Sequence, residues 1–340
     1  IGIARKTKRA VILVTNDIMM RIAAAACGVE VQEYKNDQIK ESSYMGYREI
    51  KTSREIIDDI YKKQSLAPEI FADEKSFVAN EYITLTDGNT SALCVYRDNC
   101  IRLLKDTTVF GIRPQNRLQR FALDALLAPA EEIPLVILRG PAGTAKTFLS
   151  MAAALDKTYT DEFTRHTSST SYDKIYIGRA NVSSDEAFGF LPGELEDKTR
   201  PLLGCFYSNL EDLLRKGNHE EDAQIQIQID DMMETGLLRV FPLAYIRGMS
   251  IKNSFIICDE AQNIGRSLIR DIVTRCGQGS KLVILGDTNQ IDVPFLDKTN
   301  SGLTYLAHNM KGSTKCAQIT FTEKESVRSA LATEALNRLM

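Results

Sequence analysis

Histidine is scarce in this 340-residue chain: His166, His219 and His308 are its three representatives. They are scattered through polar stretches and form no recognisable imidazole ligand set for a metal. Cys-x-x-Cys is absent. The seven cysteines (Cys27, Cys94, Cys100, Cys205, Cys258, Cys276 and Cys316) are odd in number, and three lie in apolar runs. This argues against a disulfide framework and reads as buried, reduced thiols of a cytosolic protein. No apolar run approaches the roughly 18 residues of a membrane-spanning helix, so no such helix is expected. Excess positive charge is missing as well: 42 Lys and Arg face 45 Asp and Glu, a net charge of −3. A polycation coat for nucleic acid is thereby excluded, whereas a local basic groove is not. The chain opens on Ile1 and the basic run Arg5-Lys-Thr-Lys-Arg9 with no visible signal peptide. Lacking an initiator methionine, it is expected to be a piece of a longer protein.

What is present begins with residues 135–153. Leu135 to Leu138 read as a short buried strand, and Thr147 to Leu155 as a helix burying one face. Between them stand Gly140, Pro141, Ala142, Gly143, Thr144, Ala145, Lys146 and Thr147, a phosphate-binding loop in all but one position. Such a loop wraps a polyphosphate with backbone N–H groups and aims a helix N-terminus at it. Lys146 would reach the β- and γ-phosphates of ATP, and the Thr147 hydroxyl would ligate Mg²⁺. Ala145 is the departure, since the pattern asks for glycine there. Alone, this stretch still admits the lesser reading of an ordinary strand–turn–helix with small turn residues. Two later stretches turn the balance. Ser254-Phe-Ile-Ile-Cys-Asp-Glu260 is an apolar strand ending in two acids, and Lys281-Leu-Val-Ile-Leu-Gly-Asp287 another ending in one. A P-loop enzyme needs one carboxylate for Mg²⁺ and a second to orient the attacking water, roles that Asp259 and Glu260 fit.

The length suits about two domains with full cores. Ala10 to Asp17 read as a strand with an acid at its end, Ile18 to Cys27 as a helix, and Val29 to Tyr34 as a strand. Asp17 is placed to cap that helix. The same stretch resembles the end of a PIN nuclease domain, where a Thr-x-Asp supplies one acid of a metal cluster, and both readings stand together. Residues 1–36 are therefore assigned to a PIN-like remnant. Residues 37–110 form a connector with a helix at Ser53 to Gln64, then short strands expected to make a small antiparallel β-rich subdomain. From Gly111 onwards five apolar strands alternate with helices, implying a parallel sheet covered on both faces, with ligands at the strand ends. Within the helix read at Arg113 to Leu127, Gln119 stands where ATP-driven helicases place an adenine-binding glutamine. It is as readily a solvated helix residue.

The stretches Gly189-Phe-Leu-Pro-Gly-Glu-Leu-Glu196, Pro242-Leu-Ala-Tyr-Ile-Arg-Gly248, Phe255-Ile-Ile-Cys-Asp-Glu-Ala-Gln-Asn263, Gly277-Gln-Gly-Ser-Lys281 and Gly286-Asp-Thr-Asn-Gln-Ile-Asp292 are long and specific. Through them residues 111–340 resemble the PhoH-like ATPases, and the whole chain resembles PIN–PhoH fusions lacking the front of the PIN domain. The resemblance implies an α/β fold with a RecA-like P-loop core, ATP and Mg²⁺ as cofactors, and single-stranded RNA as partner. It also implies a hexameric ring, a cytoplasmic setting, and ATP hydrolysis coupled to RNA unwinding. Residue by residue it gives phosphate and Mg²⁺ binding to Lys146 and Thr147, Mg²⁺ support to Asp259 and water polarisation to Glu260. Gln290 would sense the γ-phosphate. Arg328 would stabilise transition-state charge, in its own or a neighbour's site, with Arg247 a second cation. The rival expectation is a nucleotide-responsive scaffold that hydrolyses ATP slowly because of Ala145. A small-molecule kinase is a third, but no lid or acceptor pocket signature accompanies it.

Overall fold

Runs such as Leu135 to Leu138 and Phe255 to Cys258 are apolar at every position, so they are stable only as strands covered on both faces. The computed structural model describes residues 2–6, 10–15, 17–32, 39, 43–71, 76–159, 171–180, 204–218, 222–246, 248–294, 296–326 and 334. Within them these runs lie in a six-stranded, wholly parallel sheet.

The chain begins with a short helix α1 (Gly2–Lys6), then strand β1 (Ile12–Val14), helix α2 (Ile18–Ala26) and strand β2 (Glu30–Gln32), with β1 and β2 parallel. Asp17 caps α2, its Oδ1 accepting the Met20 N–H at 2.9 Å. Ile12, Val14, Met19, Met20 and Ile22 are exposed, so this unit buries little by itself.

Next come β3 (Tyr47–Lys51), α3 (Arg54–Lys63), β4 (Ser65–Leu66), β5 (Glu81–Thr86), β6 (Ser91–Arg97) and β7 (Cys100–Leu103). They form a five-stranded sheet in the order β3-β5-β6-β7-β4. Its expected all-antiparallel character is corrected at one edge: β3 runs parallel to β5. The connection from β3 passes through α3, long enough to return the chain in its original direction, as parallel pairing requires. Ile57 and Ile60 of α3 cover one face against Ile50, Ile83 and Leu85.

The larger unit comprises α4 (Arg117–Leu127), β8 (Leu135–Arg139), α5 (Lys146–Thr158), β9 (Lys174–Arg179), α6 (Gly204–Asn218) and α7 (Asp222–Glu234). It continues through β10 (Leu238–Pro242), β11 (Ser254–Asp259), α8 (Arg266–Arg275), β12 (Lys281–Gly286), α9 (Gly302–Asn309) and β13 (Cys316–Thr320). Strand order is β10-β9-β11-β12-β8-β13. The sixth strand, β10, was not foreseen. It lies at the sheet edge, where Pro242 at its end costs no ladder bond to a further neighbour. Helix α4 starts at Arg117 rather than Arg113, because Asn116 caps it by accepting the Gln119 N–H at 2.9 Å. Along β8, Val136 and Leu138 point to a core shared with Phe121, Leu149, Phe206 and Ile225. Leu135 and Ile137 point to the opposite core, with Ile269 and Leu303. Helices thus cover both faces, which is the α/β layering that the pattern of strands and helices implied.

The two sheets are stitched together at β13. The Thr320 N–H donates to the Met45 carbonyl at 2.9 Å, so residues just before β3 cover the open edge of the larger sheet. Gly46, at φ +88°, lies so close that a Cβ there would stand 1.6 Å from the Gln318 carbonyl oxygen. Only glycine fits that approach. Tyr82 of β5 stacks on Phe121 of α4 at 4.8 Å and donates its hydroxyl to Asp124 at 2.9 Å. The β-rich unit therefore shares a core with the P-loop unit across the expected boundary at residue 110.

Candidate functional site

Three neighbouring parallel strands, β11, β12 and β8, end at the same edge of the sheet, and each releases a polar loop there. The loop after β8 is the glycine-rich one. Gly140 takes φ +131°, and a Cβ on it would meet the Phe321 carbonyl oxygen at 2.5 Å, so the chain can leave the strand there only as glycine. Lys146 opens α5, is almost fully buried, and folds back over its own loop. Its Nζ donates to the carbonyls of Gly140 at 2.7 Å and Pro141 at 2.8 Å. A bound phosphate offers the ammonium a charged acceptor in place of neutral ones. Thr144 holds the loop's curvature, donating to the Pro141 carbonyl at 2.9 Å.

Across the cleft, the Thr147 hydroxyl donates to Asp259 Oδ2 at 3.2 Å, joining residues 112 positions apart. A hydroxyl and a carboxylate side by side are the hard oxygen donors that Mg²⁺ prefers, with water and phosphate oxygens left to complete an octahedron. Burial, and then the neighbouring Glu260 charge, raise the Asp259 carboxyl above the usual carboxylate range. A divalent cation between Asp259 and Thr147 opposes both effects. Glu260 sits in the left-handed region at φ +56°. Its Oε1 pairs with Arg179 Nη2 at 3.1 Å, and its Oε2 accepts from Gln262 Nε2 at 2.6 Å.

Gln262 ties the loops together. Its Nε2 also donates to the Gln290 carbonyl at 2.9 Å, and its Oε1 accepts the Asp287 N–H at 3.1 Å. The side chain is wholly buried, and it bridges the acid pair to the loop after β12. The cleft has a volume of about 260 Å³, and Lys146, Thr147, Asp259, Glu260, Asp287 and Gln290 are among its lining residues. Ala142, Gly143 and Ala145 complete the loop side, and Asn209 of α6 and Phe148 close another.

Most of the expected site residues therefore meet. Gln119 does not line this cleft: it is buried, with its Oε1 accepting the Gln115 N–H at 2.8 Å. Asp17 stays with its helix cap. Arg328, Arg247 and the stretch 189–196 lie outside the described residues. Arg179, Asn209, Gln262 and Asp287 were missed as site residues. Asp287 and Gln262 stood within quoted stretches, and Arg179 is the last residue of β9, a polar strand end being the one signal that marked it.

Ala145 occupies φ +66°, ψ +20°, the left-handed conformation where a Cβ is strained. The strain there is about 1 kcal/mol, so Ala145→Gly should raise the unfolding free energy by about that amount. If the strain falls on the transition state, turnover rises about five- to tenfold with nucleotide affinity little changed. Denaturant unfolding and steady-state kinetics on this variant check both parts; an unchanged stability means that the loop carries no strain.

The family model described as PhoH-like protein matches residues 111–339. Protein PhoH2 of Bacillus subtilis (strain 168) is 34% identical over 344 aligned residues, covering 98% of this chain and 74% of that protein. Protein PhoH2 of Thermobispora bispora is 30% identical, covering 96% of this chain and 71% of the relative. Among solved structures, the Pif1 helicase from Candida albicans aligns with a TM-score of 0.28 at 14% identity, over 67% of this chain and 44% of that one. No helix among the described residues is long and apolar enough to cross a membrane.

Proposed function

The chain belongs to the PhoH-like family, and on that footing we propose that it is an ATP- and Mg²⁺-dependent ATPase coupled to single-stranded RNA, as part of a PIN–PhoH type protein. The observation that carries the hydrolytic part is the Thr147–Asp259 contact at 3.2 Å with Glu260 beside it. It faces a helix N-terminus that carries a buried lysine. The loop N–H groups and Lys146 hold the β- and γ-phosphates and offset the charge that grows on them during transfer. When bound, Mg²⁺ supplies Lewis-acid stabilisation of phosphate oxygens, with Thr147 and Asp259 as its protein ligands. Glu260 accepts a proton from the attacking water, and Arg179 and Gln262 hold its two oxygens in place. Gln290 lines the same cleft, and its loop is tied to Glu260 through Gln262, a hydrogen-bonded route by which the γ-phosphate state would reach beyond the cleft.

The RNA part rests on the likeness of the whole chain to PIN–PhoH fusions, and so do a hexameric ring, Arg328 acting in a neighbour's site, and a cytoplasmic setting. Ala145 in the left-handed region favours one second reading, a nucleotide-responsive scaffold with slow turnover. Steady-state phosphate release with and without single-stranded RNA separates the two. The motor reading expects the rate to rise severalfold on adding RNA. Tight ATP binding with negligible turnover, unmoved by RNA, selects the scaffold.

A further inference from the structure

The exposed face of the β-rich sheet runs past the helix that covers it. By the pairing register, Tyr47, Tyr82 and Val95 form one cross-strand row, Glu49, Thr84 and Leu93 the next, and Lys51, Thr86 and Ser91 the third. All three rows share a face because side chains alternate along each strand. Helix α4 seals the first row through the Tyr82–Phe121 stack. Beyond it, the second and third rows form the floor of a cleft, and Arg117 and Arg120 of the first turn of α4 form its wall.

This cleft measures about 690 Å³ and runs into a second lobe of about 510 Å³ that shares Leu93, Asp106, Arg117 and Arg120 with it. Each lobe falls in the size range of a small-ligand site, and the two in series make a track rather than a single cup. Four cations line it: Lys105, Arg113, Arg117 and Arg120, against the acids Glu49 and Asp106. Both acids are already matched, Arg117 with Glu49 at 2.8 Å and Arg120 with Asp106 at 2.6 Å, and Asp106 is 93% exposed. Exposed pairs of this kind are worth little and give way readily to phosphate oxygens. Lys105 and Arg113 are exposed and supply a surplus of two positive charges on a chain whose net charge is −3.

Polar capacity is also unspent at the floor and wall. Thr84 is 5% exposed and its hydroxyl has no hydrogen-bond partner, and Arg120 Nε has none either. Tyr61, 52% exposed, stands at the rim with its hydroxyl donating to the Ser91 carbonyl, leaving an aromatic ring beside the track. Cations, hydroxyls and a ring along one groove match phosphates, sugars and bases in turn. An acidic peptide fits less well: the floor is a sheet face, whose backbone N–H groups are already paired, so no strand can be added there.

We infer that this cleft between the β-rich sheet and the first turn of α4 binds the sugar–phosphate backbone of single-stranded nucleic acid. The inference deepens the RNA-coupled reading above by giving the strand a site, and it rests on that reading. It does not use the nucleotide cleft.

The test is fluorescence anisotropy of a labelled oligouridylate with the full chain, without ATP, over a range of salt. Lys105→Ala with Arg113→Ala should weaken binding about tenfold or more and lower the slope of log K against log [salt] by about 1.4, at roughly 0.7 per lost phosphate contact on a single strand. Thr84→Val should weaken binding severalfold without moving the slope. Arg270→Ala, an exposed cation on α8 away from the cleft, should change neither. If all charge variants lose affinity equally, or the cleft variants lose none while the wild type binds, the cleft assignment is overturned and the RNA reading stands. If the wild type binds no oligonucleotide, both fall, and ATP hydrolysis remains to be judged by phosphate release. Displacement of the oligonucleotide by micromolar AMP overturns the strand in favour of a free mononucleotide. Displacement by an acidic peptide likewise overturns it in favour of a protein partner.

Discussion

Lys146→Ala is expected to lower any ATP hydrolysis by about 10²–10³-fold in a chain that still folds. The ammonium is the one cation inside the glycine-rich loop, almost wholly buried, with Gly140 and Pro141 carbonyls at 2.7 and 2.8 Å. Those neutral acceptors hold it where a β/γ-phosphate charge would lie. In a partly water-excluded site, losing a fixed donor to developing charge costs about 3–4 kcal/mol, or a factor of about 10²–10³ in rate. The loop itself keeps its other supports: the Thr144 hydroxyl on the Pro141 carbonyl, and the Gly140 N–H on the Gly286 carbonyl. Phosphate release and a thermal melt on the same preparation check the two halves. A wild-type rate from the variant would remove the nucleotide site from this loop altogether.

Glu260→Gln should separate binding from chemistry. The substitution keeps the side chain's shape and an oxygen for Arg179 or Gln262, but it removes the group able to take a proton from water. Loss of a positioned general base lowers turnover by about 10²–10⁴-fold. Nucleotide affinity should hold or tighten, and the sign follows from Asp259. Burial and then Glu260's charge raise the Asp259 carboxyl. Removing that charge takes away one of the two effects that raise it, which favours the ionised form able to hold a cation. Single-turnover hydrolysis and equilibrium binding of a fluorescent ATP analogue read the two quantities apart. If affinity falls with turnover, Glu260 holds the site's structure through Arg179 and Gln262, and another group activates the water.

A variant at Gln262 would disturb Glu260, Asp287 and the Gln290 loop at once, since one amide serves all three. That bridge could not be read from spacing. Gln262 and Gln290 are 28 residues apart, and Arg179 and Glu260 are 81 apart. What joins them is the order of strands in the sheet. Gln119 marks a local case: its amide oxygen accepts the N–H of Gln115, four residues earlier in the chain.

The sequence by itself determined whatever depends on residues close in the chain. The phosphate loop is eight consecutive residues whose turn, lysine and hydroxyl act together, so its chemistry is legible before any folding. The acid pair at the end of an apolar strand, the cap at Asp17 and the α/β alternation are local in the same sense. Tertiary structure alone decided which strand ends became neighbours, and hence that Arg179 and Gln262 clamp Glu260. It also turned β3 parallel and added the edge strand β10, whose short run Leu238 to Pro242 is interrupted by Arg239 and closed by a proline. Most of all, it placed two rows of the β-rich sheet beyond the reach of α4, along a cleft beside its first turn. Hydrophobic periodicity tells which residues seek cover. Where cover stops is decided by how long the partner helix is and where it docks, and here that follows from an Asn116 cap and a Tyr82–Phe121 stack on opposite sides of the cleft's edge.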